Sequence, residues 1–254
     1  MHLSRLISVL ETVAVAGRPV SASELQHATG LPRPTCYRLL QTLAEQRLLD
    51  DPEGNSRYLV GERLIRIALL GKPDVDVCQA AAPALAEAAV AFGEAVFLSR
   101  FRNKGVEIIH VETPADKTRS YIHPGLGFRP MHACSCSKAI AAFAEEEFRE
   151  DILKGPMKVY TEKTQTDERA LRDEFCTIQQ QGYAECVEEI EIGVSSVAAP
   201  VIIGNIGATF SVGAIGPIRR FTPATRAKVG GKLRDLAGKV STAIQLYGPG
   251  AAAT

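Results

Sequence analysis

The sequence predicts an α+β protein in which a small helical domain precedes a larger domain of mixed strands and helices. Two observations predict this class. Apolar residues recur at helical spacing through the first 46 residues, whereas predicted strands and helices follow one another between residues 94 and 217. The segment KPDVD, residues 72–76, breaks the pattern between these parts, and we place the domain boundary there. A chain of 254 residues is long enough to bury two cores.

Two helices are predicted near the N-terminus. Apolar residues at helical spacing from Leu3 to Val13 predict the first helix, which ends in the segment AGRP. The second helix follows, with Ser21 or Ser23 as its N-cap and Gly30 as its C-terminal cap. A tight turn must then lead into the next helix.

A third helix is expected to open at Pro34 and to run to about Gln46, because proline suits the first helical turn, where backbone donors are unpaired. Its buried stripe has helical spacing and comprises Cys36, Leu39, Leu40 and Leu43. The polar side chains largely off this stripe are Arg33, Thr35, Tyr37, Arg38, Gln41 and Thr42. A helix that needs only to be soluble does not require this combination of arginine, hydroxyl, phenol and amide side chains on its exposed face.

The segment LLDDPEGNSRYLVG, residues 48–61, predicts a hairpin with an Asp/Pro/Gly/Asn tip. This order of elements is that of a winged helix-turn-helix: a helix, a short helix, a turn, a longer helix and a hairpin. In such a domain the longer helix is the recognition helix, which enters the major groove of DNA. We therefore predict that the polar face of the third helix binds DNA, together with Arg57 on the wing. This domain covers residues 1–60, and a linker helix covers residues 61–74.

The second predicted domain covers residues 75–248, and residues 249–254 form a disordered tail. Helices are predicted over residues 75–94, 137–153, 166–182 and 222–248. Strands or extended segments are predicted over residues 94–101, 106–113, 119–125, 183–189, 195–203 and 207–215, with turns at Asn103-Lys104-Gly105 and Gly204-Asn205. Antiparallel strands flanked by helices complete the α+β class.

Composition excludes several classes of protein. The net charge is zero, and residues 1–71 hold eight arginines against seven acidic residues, so a DNA partner must be argued from placement. No run of 18 apolar residues or signal peptide is present, so we expect no membrane partner. Six cysteines in a chain of this size indicate reduced thiols and a cytoplasmic protein.

Three motifs in order are similar to those of the IclR-type bacterial transcriptional regulators. They are GLPRPTCYRLLQTLAEQRLL with RYLVG, then GFRPMHACSCSKAIAAF, and then QGYAECVEEIEIGVSSVAAPV with AIGP. The resemblance covers nearly the whole chain. It implies a DNA-binding domain, a linker helix and a GAF-like effector domain, assembled as dimers or dimers of dimers.

This resemblance implies a ligand-responsive transcriptional regulator, a repressor of catabolic genes that answers to a small organic acid or related metabolite. Its partners would be a palindromic double-stranded DNA operator, a small-molecule effector and a second copy of itself. No catalytic residue, cofactor or metal is expected.

The predicted effector site lies at the start of the helix in CSCSKAI, where free N–H groups and the helix dipole favour a carboxylate or carbonyl oxygen. The residues placed there are Cys134, Ser135, Cys136 and Ser137. The family arrangement would add Cys186, Glu188, Ser196, Gly213 and Ile215 from neighbouring strands.

Some of these residues depart from the family pattern. Members that bind small organic acids often have an acidic residue where Cys186 stands, and some have serines where Gly213 and Ile215 stand. Gly213 would remove a side chain from the pocket wall, and Ile215 would make that wall more apolar. We therefore expect a ligand with one polar, anionic end and a body larger or less hydroxylated than glyoxylate or pyruvate.

The sequence also suggests three other functions. Glu188 and Glu189 suggest general acid–base chemistry, but no nucleophile lies nearby in the sequence, and a polar strand end with a solvated loop explains them better. His132, Cys134 and Cys136 are zinc ligand types, but their His-x-Cys-x-Cys spacing does not let them converge at a helix start.

The alternative from another class is a thiol redox sensor or reductase on a GAF scaffold. It would use Cys134, Cys136 and Cys186, and it would require an accessible thiolate of low pKa.

Overall fold

The chain passes from one folded unit to a second between Lys72 and Pro73. This description comes from a computed structural model, and the residues described are 2–102, 105–116, 118, 120–203 and 207–246. The predicted tail, the Gly204-Asn205 turn and the first two residues of the Asn103-Lys104-Gly105 turn lie outside them.

The first unit contains the predicted helices and wing. Its helices are α1 (His2–Ala16), α2 (Ala22–Thr29), α3 (Arg33–Glu45) and α4 (Glu62–Leu70). Its strands are β1 (Val20–Ser21), β2 (Leu49–Asp50) and β3 (Arg57–Val60), which form an antiparallel sheet in the order β1-β3-β2. The sequence did not predict β1, because two residues are too few to show strand alternation.

Local chemistry sets the ends of α2 as predicted. Ser21 is the N-cap of α2, and its hydroxyl accepts from the Glu24 N–H while the Glu24 carboxylate accepts from the Ser21 N–H. Gly30 ends α2 with φ of 70°, a left-handed conformation that favours glycine. Helix α3 begins at Arg33, so Pro34 occupies its second position instead of its first.

The stripe predicted for α3 is the core of this unit. Cys36, Leu39, Leu40 and Leu43 are all buried. They pack with apolar residues of α1, α2 and the sheet, which are Val9, Val13, Val20, Leu25, Leu49 and Tyr58. The polar face of α3 is thereby left on the outside.

The second unit is an α+β domain, as predicted. Its helices are α5 (Asp74–Phe92), α6 (Ser135–Ala142), α7 (Glu146–Lys154), α8 (Glu168–Gln181) and α9 (Pro223–Leu246). Its strands are β4 (Ala95–Arg102), β5 (Gly105–Glu112), β6 (Gly127–Arg129), β7 (Ala184–Val187), β8 (Val194–Ile202) and β9 (Ala208–Pro217). They form one antiparallel sheet in the order β6-β5-β4-β9-β8-β7.

Helices cover both faces of this sheet. Helices α5 and α9 pack together against one face, and α6 packs against the other with α8 behind it. The side chains of Phe97, Ile108 and Ala198 point from the sheet into the core beneath α6. Helix α6 is thus enclosed, and all eight of its residues are buried.

Helix α5 is long and apolar enough, by length and composition, to cross a membrane, and it alone meets that test among the described residues. It carries Asp74, Asp76 and Glu87, and it packs along β4, β5 and α9.

Two predicted elements differ from the structure. Residues 137–153 form the separate helices α6 and α7, because α6 is buried on all sides whereas α7 buries Leu153 alone. Side chains satisfy carbonyls at the break: Gln179 donates to the Ala142 carbonyl at 2.5 Å, and Arg149 donates to the Ala144 carbonyl at 2.6 Å. In the segment predicted as extended, residues 120–125 are irregular, and the edge strand β6 follows at residue 127.

Candidate functional site

The outer surface of α3 carries the six predicted DNA-contact residues in two rows. Arg33, Tyr37 and Gln41 form one row, with all three side chains exposed. In the second row, Thr35, Arg38 and Thr42, only the arginine is exposed and the two threonines are half-buried. Gln41 Nε2 donates to Tyr37 Oη at 3.0 Å, which joins two members of the first row.

A cleft of 540 Å³ runs beside the first row. It lies between the start of α2, the start of α3 and the tip of the wing. Its lining residues are Ser21, Ala22, Ser23, Arg33, Pro34, Tyr37, Asn55 and Ser56. Side chains of α3 and of the wing therefore line the same cleft.

Arg57 lies at the base of the wing rather than at its tip, since it pairs with Ser21 in the sheet. Its guanidinium donates to the Pro19 carbonyl at 3.0 Å and lies 3.2 Å from the Glu24 carboxylate. The Ser21 backbone N–H and Arg18 lower the pKa of Glu24 to about 2, so this carboxylate stays charged. Arg57 thus fastens the wing to α2, and its contact with DNA stays a prediction.

In the second unit, the structure brings together several of the predicted effector-site residues at the start of α6. Cys134 is the N-cap of α6. The hydroxyls of Ser135 and Ser196 lie 2.7 Å apart, and both residues are buried. Cys186, Ser196 and Ile215 are neighbours in the register of β7, β8 and β9. Two hydroxyls and the N–H groups of a helix start therefore lie next to an apolar wall.

The thiols at this site are all buried, whereas redox chemistry requires an accessible thiolate. The Sγ atoms of Cys134 and Cys136 lie 3.3 Å apart, and both residues are buried. The hydrogen bond to Cys136, followed by burial, raises the pKa of Cys134 well above its usual value, and burial raises that of Cys186 to about 12. Burial opposes ionisation of Cys136, but the hydrogen bond from Cys134 helps to lower its pKa. Even so, this sulfur is fully enclosed.

The prediction that Glu188 faces the start of α6 is wrong. Glu188 has a positive φ of 60°, and its carboxylate pairs with Lys163 and accepts from the Gly193 N–H at 2.8 Å. These contacts hold it in the turn between β7 and β8, and both partners lie outside α6. Its pKa is lowered by the same two partners.

The neighbouring Glu189 is buried instead, and it does not lie in a solvated loop as expected. Its carboxylate lies 2.7 Å from Nζ of Lys138, which lies 2.7 Å from Glu174 as well. Burial opposes the charge of Lys138, but the two carboxylates outweigh it and raise the pKa of this lysine. Sequence reasoning missed this cluster, although a lysine within the apolar run CSCSKAIAAF was a usable signal.

Gly213 does not enlarge the site, which corrects the expectation from the sequence. A Cβ at this position would lie 2.2 Å from Cζ of Phe97, so the phenylalanine ring already fills the space that the missing side chain leaves. Ile215 is half-buried and packs against the same core, and its role as an apolar pocket wall stays a prediction.

His132 anchors a loop. Its Nε2 lies 3.0 Å from the Lys158 carbonyl, and its ring stacks on Tyr160 with a centroid separation of 6.1 Å. Within the described ranges, no three His, Cys, Asp or Glu side chains are grouped so that they could hold a metal ion.

Comparison with known families decides what these two units are. The profile "Bacterial transcriptional regulator IclR C-terminal" matches residues 73–242, and "IclR helix-turn-helix domain" matches residues 2–52. The chain belongs to the IclR family. It is therefore a transcriptional regulator with a DNA-binding domain and an effector domain, and not an enzyme.

Curated relatives of this IclR-family chain are regulators. It is 29% identical over 244 residues to the glycerol operon regulatory protein of Streptomyces griseus, covering 94% of both chains. It is 27% identical over 249 residues to the repressor AllR of Escherichia coli K12, covering 96% of this chain and 90% of AllR. These names offer no support for the thiol redox alternative.

Solved structures share the fold. An IclR regulator from Silicibacter sp. TM1040 superimposes with a TM-score of 0.64 at 23% identity, covering 95% of both chains. An IclR homologue from Microbacterium hydrocarbonoxydans, solved with 4-hydroxybenzoate, has a TM-score of 0.60 at 24% identity, covering 96% of this chain and 99% of that one.

Proposed function

We propose that this regulator is a cytoplasmic, dimeric repressor of catabolic genes that binds a palindromic operator and responds to a small organic acid. The proposal that a small organic acid binds the effector domain rests on the pair of buried hydroxyls of Ser135 and Ser196 at the start of α6. A small-molecule pocket typically sets a few convergent polar groups into an apolar surface. A helix start adds N–H donors that favour an anionic end.

The surroundings favour a ligand with an apolar body. Half-buried apolar side chains pack at the edge of the same core, and they are Met131, Met157, Ile190 and Ile215. Methionine adapts to irregular shapes, which suits a ring or a medium-length chain. The relatives act as precedents, because one is a glycerol operon regulator and one structural neighbour was solved with 4-hydroxybenzoate.

The DNA side of the proposal rests on the outer face of α3. Arginine can bond guanine in a bidentate manner in the major groove, and each good pair is worth about 1–3 kcal/mol of discrimination. Arg38 is exposed in the second turn of α3, where it can reach base edges. Arg57, which fastens the wing, would instead act on all sequences alike.

Pairing of two copies is supported by apolar side chains on the outside of the first unit. Leu3 and Ile7 on α1 are 69% and 46% exposed, and Ile67 on α4 is 53% exposed. Leu6 and Leu10 on the same helix pack against the core of the unit instead. A two-fold dimer doubles the DNA footprint, which a palindromic operator requires.

Two experiments test this function. Genomic binding-site selection with the purified chain is expected to yield a palindrome, and Arg38→Ala is expected to abolish its specific binding. The matched control Arg169→Ala, on the surface of α8, is expected to bind normally. A monomer in sedimentation at micromolar concentration would refute the dimer.

The second experiment is a thermal-shift screen of small organic acids, aromatic acids and lactones, followed by DNA-release assays. Ser135→Leu is expected to abolish the effector response while operator binding persists. Ser196→Ala, a milder change, is expected to weaken the same response. Tightest binding by a two- or three-carbon polyoxygenated acid would contradict the proposed ligand class.

A further inference from the structure

One hydrogen bond on the exposed face of α3 fixes the direction of a side chain that can read a base. Gln41 Nε2 donates to Tyr37 Oη at 3.0 Å, across one helical turn. Both side chains are exposed, and Tyr37 retains 44% of its accessible surface. An exposed glutamine otherwise samples many rotamers, and ordering them on binding costs free energy. The bond to Tyr37 reduces that cost before DNA arrives.

The remaining groups of the Gln41 amide match one base. A side-chain amide has two N–H donors and one carbonyl acceptor, and Tyr37 takes one of the donors. One N–H and Oε1 are left to face the DNA. In the major groove, adenine offers an acceptor at N7 and a donor at N6, whereas guanine offers two acceptors. The arrangement therefore suits adenine and not guanine.

The Tyr37 hydroxyl accepts from Gln41, so its own proton remains available to donate. Tyr37 also lines the 540 Å³ cleft between α2, α3 and the wing, together with Arg33 and Ser56. A phosphate oxygen of the DNA backbone that enters this cleft can accept from Tyr37 Oη and pair with Arg33. The Tyr37 hydroxyl would then bond both a DNA phosphate and the Gln41 amide that contacts the base.

We propose that Gln41 reads an adenine in each operator half-site and that Tyr37 is its positioning residue, tied to a backbone phosphate. This inference rests on the proposed function, because it requires α3 to lie in the major groove. It names the base that is read and the residue that orients the reader.

The test is binding-site selection from random DNA with the full-length protein and three variants. Gln41→Ala is expected to remove the preference at one A·T position per half-site, by about tenfold or more. Tyr37→Phe is expected to weaken the preference at that same position, because Gln41 is no longer oriented, and to lower the affinity for all sequences, because a phosphate contact is lost. Gln26→Ala, an exposed glutamine on α2, is the matched control and is expected to leave the selected motif unchanged.

The dependence of DNA affinity on salt concentration distinguishes a neutral phosphate contact by Tyr37 from a charged one by Arg33. Because the tyrosine hydroxyl is neutral, Tyr37→Phe is expected to leave the slope of log affinity against log salt unchanged, whereas Arg33→Ala is expected to reduce it by about 0.9. Selection of guanine at the Gln41-dependent position would overturn the proposal, and so would a Tyr37→Phe variant with an unchanged motif. In both cases a selected palindrome would leave the proposed function standing. A wild-type protein that selects no motif would overturn both.

Discussion

Replacing Lys138 with methionine tests how the effector domain holds its buried charges. Lys138 is fully buried on α6, and its ammonium lies 2.7 Å from a carboxylate oxygen of Glu189 and 2.7 Å from one of Glu174. Methionine keeps the approximate length of the side chain and removes the charge. Glu174, with a side chain that is 29% exposed, can turn to water, but that of Glu189 is only 11% exposed. Lys138→Met therefore leaves one carboxylate buried without a cation.

Breaking a buried pair in this way costs about 3–5 kcal/mol of the free energy of unfolding. For a domain of this size the melting temperature should fall by roughly 10 °C. Burial raises the pKa of Glu189 and the Lys138 ammonium opposes that rise, so the pKa of Glu189 should rise further in the variant. A carboxyl with a raised pKa contributes most stability below its unfolded pKa, about 4.3, and loses it as pH rises through the folded pKa. The deficit of Lys138→Met should therefore be largest at neutral pH and shrink towards pH 4.

The assay is urea unfolding of the full chain at several pH values between 4 and 8, with circular dichroism as the signal that reports unfolding. Lys154→Met is the matched control, because Lys154 forms an exposed pair with Glu150 and should change stability by less than about 1 kcal/mol. Adding Glu189→Gln to Lys138→Met should recover most of the loss, since the buried charge is then gone. A Lys138→Met variant as stable as Lys154→Met at neutral pH would refute the reasoning.

Three further predictions concern packing and local contacts. Gly213→Ala should destabilise the effector domain by about 1–3 kcal/mol in urea unfolding, because the new methyl would overlap the Phe97 ring; the additional change Phe97→Leu should restore part of the loss, and an unchanged midpoint would contradict this. Ser21→Ala should cost the first unit about 1 kcal/mol, measured by its melting, through loss of the α2 cap. Because the pKa of Glu24 is lowered to about 2, its stabilising contribution should be present above its unfolded pKa, near 4.3, and vanish as pH falls through about 2; a carboxyl titration by NMR near pH 4 would contradict it.

The sequence by itself determined the first unit almost completely. Its signals are local: the apolar stripe of α3 shows in thirteen consecutive residues, and the caps at Ser21 and Gly30 act within one helical turn. The same holds for the polar face of α3, because residues off a buried stripe must face outwards. Three separated motifs likewise indicated the family, and most strands and helices of the second unit followed from their periodicity, apart from the break between α6 and α7 and the edge strand β6.

Only the tertiary structure decided which groups meet in the effector domain. Ser135 and Ser196 are 61 positions apart, and no local pattern predicts that their hydroxyls touch. Glu188 and Glu189 are adjacent in the chain, yet a left-handed residue in the turn sends one carboxylate to Lys163 and the other to the buried Lys138. Such pairings depend on long-range packing, in which each buried polar group takes the partner that the fold brings within reach.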